Sequence, residues 1–227
     1  MMVSEGTKEK VWCLIRPSLK AGKIETYRIM GTGFFISENK FITAYHALND
    51  SAFGKHEKEY DNNYIILQNI AGDRMKITLQ EDKIEYFPDK DLTSIIFDKK
   101  FIYLETETNV KEGEKVTNLG FPSKNAKNII VIDTKNGLSI KKVEKQEGTI
   151  FKIKTNFLCE EKNQKSKVRI QKAIVTNYST EKGFSGGPLL NEQGKVIGMV
   201  SRRYADALKS MVSISINEIA MLPHPFS

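Results

Sequence analysis

An all-β fold finished by a short C-terminal helix is what this sequence predicts. Twelve short runs rich in Ile, Val, Phe, Tyr and Thr recur along the chain, and Gly, Asn, Asp or Pro bound them. Run lengths of about 4 to 10 residues suit strands better than helices. Only Ala44–Leu48 and Asn217–Leu222 carry a helical pattern.

Taken in order, the first set of predicted strands is Val11–Ile15, Tyr27–Ile36, Lys40–Thr43, Tyr64–Asn69, Met75–Leu79 and Ser94–Phe97. The second set is Lys115–Leu119, Asn128–Ile132, Thr149–Ile153, Val168–Thr176, Lys195–Ser201 and Ser210–Ile216. Between the sets, Glu105–Gly113 is polar and offers no apolar face. It predicts a boundary that divides the chain into two comparable β halves, residues 1–110 and 111–227. Ser51–Asn63 and Cys159–Lys167 read as surface loops.

A chain of 227 residues with 40% hydrophobic content suits one large β domain or two small lobes sharing an interface. No apolar run reaches the length of about 18 residues that a membrane helix needs. The start, Met1 to Lys10, is polar and lacks the apolar stretch of a secretory signal. Cys13 and Cys159 are the two cysteines, far apart in sequence. Together these features predict a protein of the reducing cytoplasm with two ordinary thiols. Two cysteines do not build a usual zinc site, so no metal is expected. The net charge of +7 comes mostly from lysines scattered through nearly every turn. That pattern predicts a solvated basic surface with weak attraction for acidic partners, and no specific reading of nucleic acid.

The strongest local signal is Gly183-Phe-Ser-Gly-Gly-Pro-Leu189. Acyl transfer by a serine needs an exposed hydroxyl and backbone N–H groups aimed at the developing oxyanion. Glycines on both sides of Ser185 let the backbone turn tightly and approach a substrate. The Gly183 and Ser185 amides are the expected oxyanion hole. A serine hydroxyl also needs a general base. Of the three histidines, His56 sits in a charged loop and His224 lies between prolines near the end of the chain. His46 follows the apolar run Lys-Phe-Ile-Thr-Ala-Tyr and is the preferred base. A carboxylate should orient its ring. Asp91 opens the apolar run Leu-Thr-Ser-Ile-Ile-Phe and is preferred, with Asp89 and Asp98 as nearby rivals.

In this order the residues resemble the chymotrypsin/trypsin-like serine proteases. His46, Asp91 and Ser185 follow the chymotrypsin order rather than that of subtilisin or the α/β-hydrolases. Thr43-Ala-Tyr-His46 resembles the family's Thr-Ala-x-His, and Gly183 to Pro188 resembles its Gly-x-Ser-Gly-Gly-Pro. Asp91-Leu92 is similar to its Asp-(Ile/Leu)-Ala block, with Thr93 where Ala is usual. Gly31 to Ser37 and Leu119-Gly-Phe-Pro122 look like the intracellular and HtrA-like bacterial branches, and Gly194 to Ser201 like the strand after the nucleophile. The resemblance covers roughly residues 10 to 222. It implies two six-stranded antiparallel β-barrels, a Ser-His-Asp triad in the cleft between them, an acyl-enzyme intermediate and no cofactor.

Departures from the pattern shape the expectation. Ala47 stands where digestive trypsins have Cys, and Phe184 where they have the Asp that pairs with a freshly cut N-terminus. Activation by N-terminal insertion is therefore not expected, and regulation is expected from loops or a protein partner. No PDZ domain is expected within this length. By resemblance, the substrate pocket takes Ser179 and Thr180 before the nucleophile, and Ser201 and Arg203 after the following strand. Ser179 stands where cleavage after Lys or Arg requires Asp. Arg202 and Arg203 are read as facing solvent, with an acidic P1 residue drawn to an arginine at the rim as one alternative and a small or apolar P1 as another. The expected function is a serine endopeptidase acting on protein or peptide in regulated proteolysis in a bacterial cytosol. The alternative is a trypsin-fold binding module that is inactive, or active only with a partner.

Overall fold

Val11-Trp-Cys-Leu-Ile begins a strand whose side chains are buried without alternation, as in a strand covered on both faces. In the computed structural model, which describes residues 3–20, 23–49, 64–79, 83–125, 129–133, 137–160, 167–203 and 210–221, this strand is β1 (Val11–Lys20) at the heart of the first sheet. Its neighbours are β2 (Lys23–Phe35), with β3 (Lys40–Ala44) beyond, and β4 (Tyr64–Gln68), with β5 (Arg74–Thr78) beyond. On the far side of β3 come β7 (Leu92–Ile96) and β6 (Ile84–Phe87), giving the order β5-β4-β1-β2-β3-β7-β6. All described pairings in the sheet are antiparallel. Trp12, Phe35, Phe41, Phe97 and Phe101 pack as one aromatic cluster, with Phe35 stacked on Phe101 at 4.4 Å between ring centres.

The second half is a closed barrel in the order β11-β12-β15-β14-β13-β8. Its strands are β8 (Lys115–Gly120), β11 (Glu144–Glu160), β12 (Lys167–Thr176), β13 (Pro188–Leu190), β14 (Val196–Arg203) and β15 (Met211–Ser215). A separate hairpin, β9 (Ile130–Asp133) with β10 (Gly137–Ile140), lies between β8 and β11 in the chain. Short α-helices α1 (Glu5–Lys8), α2 (Tyr45–Leu48) and α3 (Ile216–Ala220) and the 3₁₀ turns Pro88–Lys90 and Ser123–Asn125 accompany the strands.

The all-β class, the double-barrel plan and the C-terminal helix are as the sequence predicts. All twelve predicted strands are present within their described residues. Two details differ. The first sheet has seven strands, and no described backbone pairing joins its edges β5 and β6, whereas the second closes with six. The additional strand β6 is four residues long and stops just before Pro88, too short to show a period of its own. Glu105–Gly113 carries no strand, but Thr106 bridges to Val196, so the segment between the halves is strapped to the second barrel. Ser51–Asn63, His56 and His224 lie outside the described residues. Cys159 and Glu160 finish β11 and Lys167 opens β12, so the predicted loop is shorter than expected. Cys13 is free and fully buried, and burial pushes its thiol well above the ordinary range.

Candidate active site

Ser185 sits on a turn that the first sheet and the second barrel hold between them. Gly186 donates its N–H to Val200 O at 2.7 Å, and Gly187 donates to Phe184 O at 2.9 Å. From the first sheet, Thr32 N donates to Ser185 O at 2.8 Å. The Thr32 hydroxyl donates to Gly183 O at 2.7 Å and accepts from Phe121 N at 3.2 Å. Two glycines here have backbones that a side chain would strain: Gly183 at φ 102° and Gly186 at φ 82°. A Cβ on Gly186 would lie 2.1 Å from Thr32 O, and one on Gly183 would lie 2.1 Å from Phe121 O.

The amides of this turn divide into two sets. Those of Phe184, Gly186 and Gly187 are spent on backbone carbonyls. Those of Gly183 and Ser185 make no hydrogen bond among the described residues. Lys182 O accepts from Ser123 N at 2.8 Å. The 182–183 peptide is trans, so Gly183 N–H points to the opposite side from Ser123. These two unspent donors flank Phe184, and backbone donors of this kind are what an oxyanion needs.

His46 and Asp91 form a tight pair. Nδ1 of His46 lies 2.8 Å from Asp91 Oδ1 and 2.9 Å from Oδ2. The backbone reinforces it: His46 N donates to Asp91 Oδ1 at 3.1 Å, and Tyr45 N donates to Asp91 O at 3.1 Å. Asp91 thereby satisfies two orphan donors at the start of α2, which has no side-chain cap of its own. Asp91 follows the 3₁₀ turn Pro88–Lys90 in the left-handed region at φ 55°, which Asp tolerates better than most residues. Its carboxylate is fully buried. Burial pushes its pKa up, but the charge and hydrogen bond of His46, the Arg202 guanidinium and the Ser201 hydroxyl together hold it below the ordinary carboxylate value. A carboxylate on Nδ1 keeps the proton there and leaves Nε2 as the basic nitrogen.

Ser185 lies beside the helix that carries His46. A Cβ on Gly31 would sit 2.7 Å from Ala47 Cβ and 2.9 Å from Ser185 O, so the residue after His46 and the Ser185 carbonyl share one crowded point. No hydrogen bond joins the Ser185 hydroxyl to His46 Nε2 among the described residues. Such bonds are often long or poorly aligned before substrate arrives.

The remaining predicted residues fall differently. Ser201, expected at the substrate wall, turns its hydroxyl inward and donates to Asp91 Oδ2 at 2.5 Å. Arg202, read as solvent-facing, is buried, with Nε 3.4 Å from the same oxygen. The reason is a break in register: β14 pairs Val200 with Ser213 and Arg202 with Val212, which leaves Ser201 as an extra residue. In a regular strand neighbouring side chains point to opposite faces. A bulge re-aims them, and here both reach one carboxylate. Arg203 pairs with Met211, and its side chain lies outside the described set. Ser179 is half-buried and Thr180 buried just before the Ser185 turn. Of the rivals to Asp91, Asp89 lies in the 3₁₀ turn and Asp98 pairs with Lys83. Sequence reasoning missed Thr32, whose only signal was a hydroxyl residue between Gly31 and Gly33.

Comparison with known proteins bears on the family and the fold. The model of the trypsin-like peptidase domain family matches residues 31–199. No curated protein sequence matches the chain. Among solved structures, the active form of the Rv3671c protease from M. tuberculosis is similar with a TM-score of 0.65 at 18% identity, covering 98% of this chain and 86% of that one. The MamO protease domain from Magnetospirillum magneticum gives a TM-score of 0.62 at 14% identity, covering 97% of this chain and 99% of that one. Deg5 gives 0.58 at 18% identity, covering 94% of this chain and 87% of that one.

Proposed function

The chain belongs to the trypsin-like peptidase family, and on that premise we propose that it is a serine endopeptidase that cleaves protein or peptide through Ser185, His46 and Asp91. His46 Nε2 takes the proton of Ser185 Oγ as the oxygen attacks the scissile carbonyl. The oxyanion is received by the amides of Gly183 and Ser185. His46 then hands its proton to the leaving amine, and a water activated by the same nitrogen hydrolyses the acyl-enzyme. No step calls on a metal or cofactor. The single observation that carries this reading is the fully buried Asp91 with both oxygens on His46 Nδ1, which a merely structural histidine does not require.

A fluorophosphonate probe tests it. Wild type should label at Ser185 and Ser185→Ala should not. Labelling that persists in Ser185→Ala, or that fails in wild type even with a partner supplied, overturns the reading.

One observation favours a second form of this proposal, a protease active only with a partner. The Ser185 hydroxyl is not hydrogen-bonded to His46 among the described residues. In that form, labelling by the purified chain is slow and rises when the products of neighbouring genes are added. The cellular setting we infer is regulated proteolysis in a bacterial cytosol, resting on the scarcity of cysteines. Export of the protein counts against it. For the substrate, Ser179 argues against cleavage after Lys or Arg. With Arg202 buried, Arg203 is the arginine left to attract an acidic P1 residue; small and apolar P1 residues stand beside it. A peptide library read at P1 decides, and a clear preference for Lys or Arg sinks this assignment.

A further inference from the structure

Asp91 has two cationic claimants. Besides His46, it meets Arg202 Nε at 3.4 Å, and the Arg202 side chain is only 7% exposed. The hydroxyl of Ser201 holds the same oxygen. A buried carboxylate without a counter-charge is costly. When His46 is neutral, as a general base must be, Arg202 is the permanent cation that compensates Asp91, because guanidinium does not lose its proton.

We propose that Arg202 is a positioning residue that shares Asp91 with His46 and sets the pH at which His46 can act as a base. The proposal deepens the triad reading given above and rests on it. Two like charges on one carboxylate disfavour each other. Arg202 therefore opposes the arrival of a proton on His46. The β14 bulge that brings Ser201 and Arg202 to one side is the device that makes this possible.

The other charged and titratable groups around the pair are engaged elsewhere or stand apart. Lys90, beside Asp91, pairs at 3.9 Å with buried Glu218 of α3. Asp89 lies on the same 3₁₀ turn. Arg16 donates to Leu48 O at the end of α2, at 2.7 Å. Tyr45 accepts from Asn49, and Tyr86 donates to Leu79 O at 3.1 Å. Among the described residues, His46 and Arg202 are the charged groups that lower the Asp91 pKa.

The test is the titration of the His46 ring by ¹⁵N NMR in the full chain, with the resonance assigned by its loss in His46→Gln. Arg202→Met removes the charge and should raise the midpoint by about one pH unit. Arg202→Lys keeps a charge and should leave it within about 0.3 unit of wild type. If Arg202→Met does not fold, Arg202→Gln is read against Arg202→Lys in its place. A midpoint that does not move on loss of the charge overturns the proposal. So does an equal shift in Arg202→Lys, which would assign the effect to shape rather than charge. The titration reads whether or not the protein cleaves anything. A shifted midpoint in a chain that never labels at Ser185 would refute the protease reading while leaving the electrostatic coupling standing.

Discussion

Phe184 lies directly over the bare Cα of Gly120: a Cβ on Gly120 would sit 2.6 Å from the Phe184 ring and 3.0 Å from its Cα. Phe184 is 1% exposed and immediately precedes Ser185. The turn is thus anchored by an apolar side chain seated on a strand of the second barrel. No charged group at position 184 waits for a cationic N-terminus. The first prediction follows. Gly120→Val should push Phe184 outward and cost about 1–3 kcal/mol of stability, as overpacking does. Phe184→Ala should cost about 3–5 kcal/mol through the cavity it leaves. Chemical denaturation measures both. In each variant, probe labelling at Ser185 should slow under conditions where the protein remains folded. Unchanged labelling would show that the Phe184 seat does not hold the turn.

If the proposed triad operates, acid stability and activity should converge on the Asp91 carboxylate. Its folded-state pKa lies below the ordinary value of 3.8. A depressed carboxylate contributes stability above its unfolded pKa and loses it as the pH falls through the folded pKa. Wild type should therefore lose stability as pH drops below about 4, and Asp91→Asn should show a flatter profile there. At neutral pH, Asp91→Asn leaves Arg202 buried against a neutral amide, a loss on the order of 3–5 kcal/mol. It also removes the group that fixes the His46 tautomer, so turnover should fall by about 10⁴-fold. Denaturation at pH 7 and pH 3, alongside kcat on a cleaved peptide, separates the two effects.

What could be read from the sequence was local or periodic. The Gly183–Pro188 motif and the run around His46 are contiguous signals, and the alternation of short apolar runs with turn residues gave twelve strands. What escaped depends on distant partners. The β13 strand is three residues long and opens on Pro188, so nothing in it announces a strand. Ser201 and Arg202 meet Asp91 across 110 and 111 residues, and only because a bulge breaks the alternation that sequence reasoning assumes. An arginine at the end of an apolar run is ordinarily a solvated rim residue. Its burial follows from the carboxylate opposite, which no local pattern reveals. The seven strands of the first sheet also could not be counted, because β6 gains its identity from pairing with β7.

Gly183 tests the oxyanion reading apart from the triad. At φ 102° with a would-be Cβ 2.1 Å from Phe121 O, the position has no room for a side chain. Gly183→Ala should rotate the 182–183 peptide to escape that contact, swinging its N–H away from where an oxyanion forms. Removing one such donor costs about 10²–10³-fold in turnover, and the strain adds about 1–3 kcal/mol of instability. The His46 titration should be unaffected, since no bond to Asp91 is touched. A variant that retains wild-type kcat would exclude Gly183 N–H from the hole.

Thr32 links the first sheet to the Ser185 turn through two contacts and reaches Phe121 with a third. Its N–H holds Ser185 O at 2.8 Å, and its hydroxyl bridges Gly183 O at 2.7 Å to Phe121 N at 3.2 Å. Thr32→Val keeps the shape and the backbone bond but removes the bridge, leaving a buried carbonyl and a buried amide without that partner. Each such orphan costs about 1–3 kcal/mol. Because the lost bond fixes the 183–184 peptide, the damage should appear in kcat more than in KM, and the probe should label more slowly. Thr32→Ser restores the hydroxyl and should recover most of both. If Thr32→Val loses stability but labels at the wild-type rate, the bridge holds the two halves together without tuning the turn. If Thr32→Ser fails to rescue, the methyl group, packed at 3.3 Å from where a Gly187 Cβ would stand, carries the role instead of the hydroxyl.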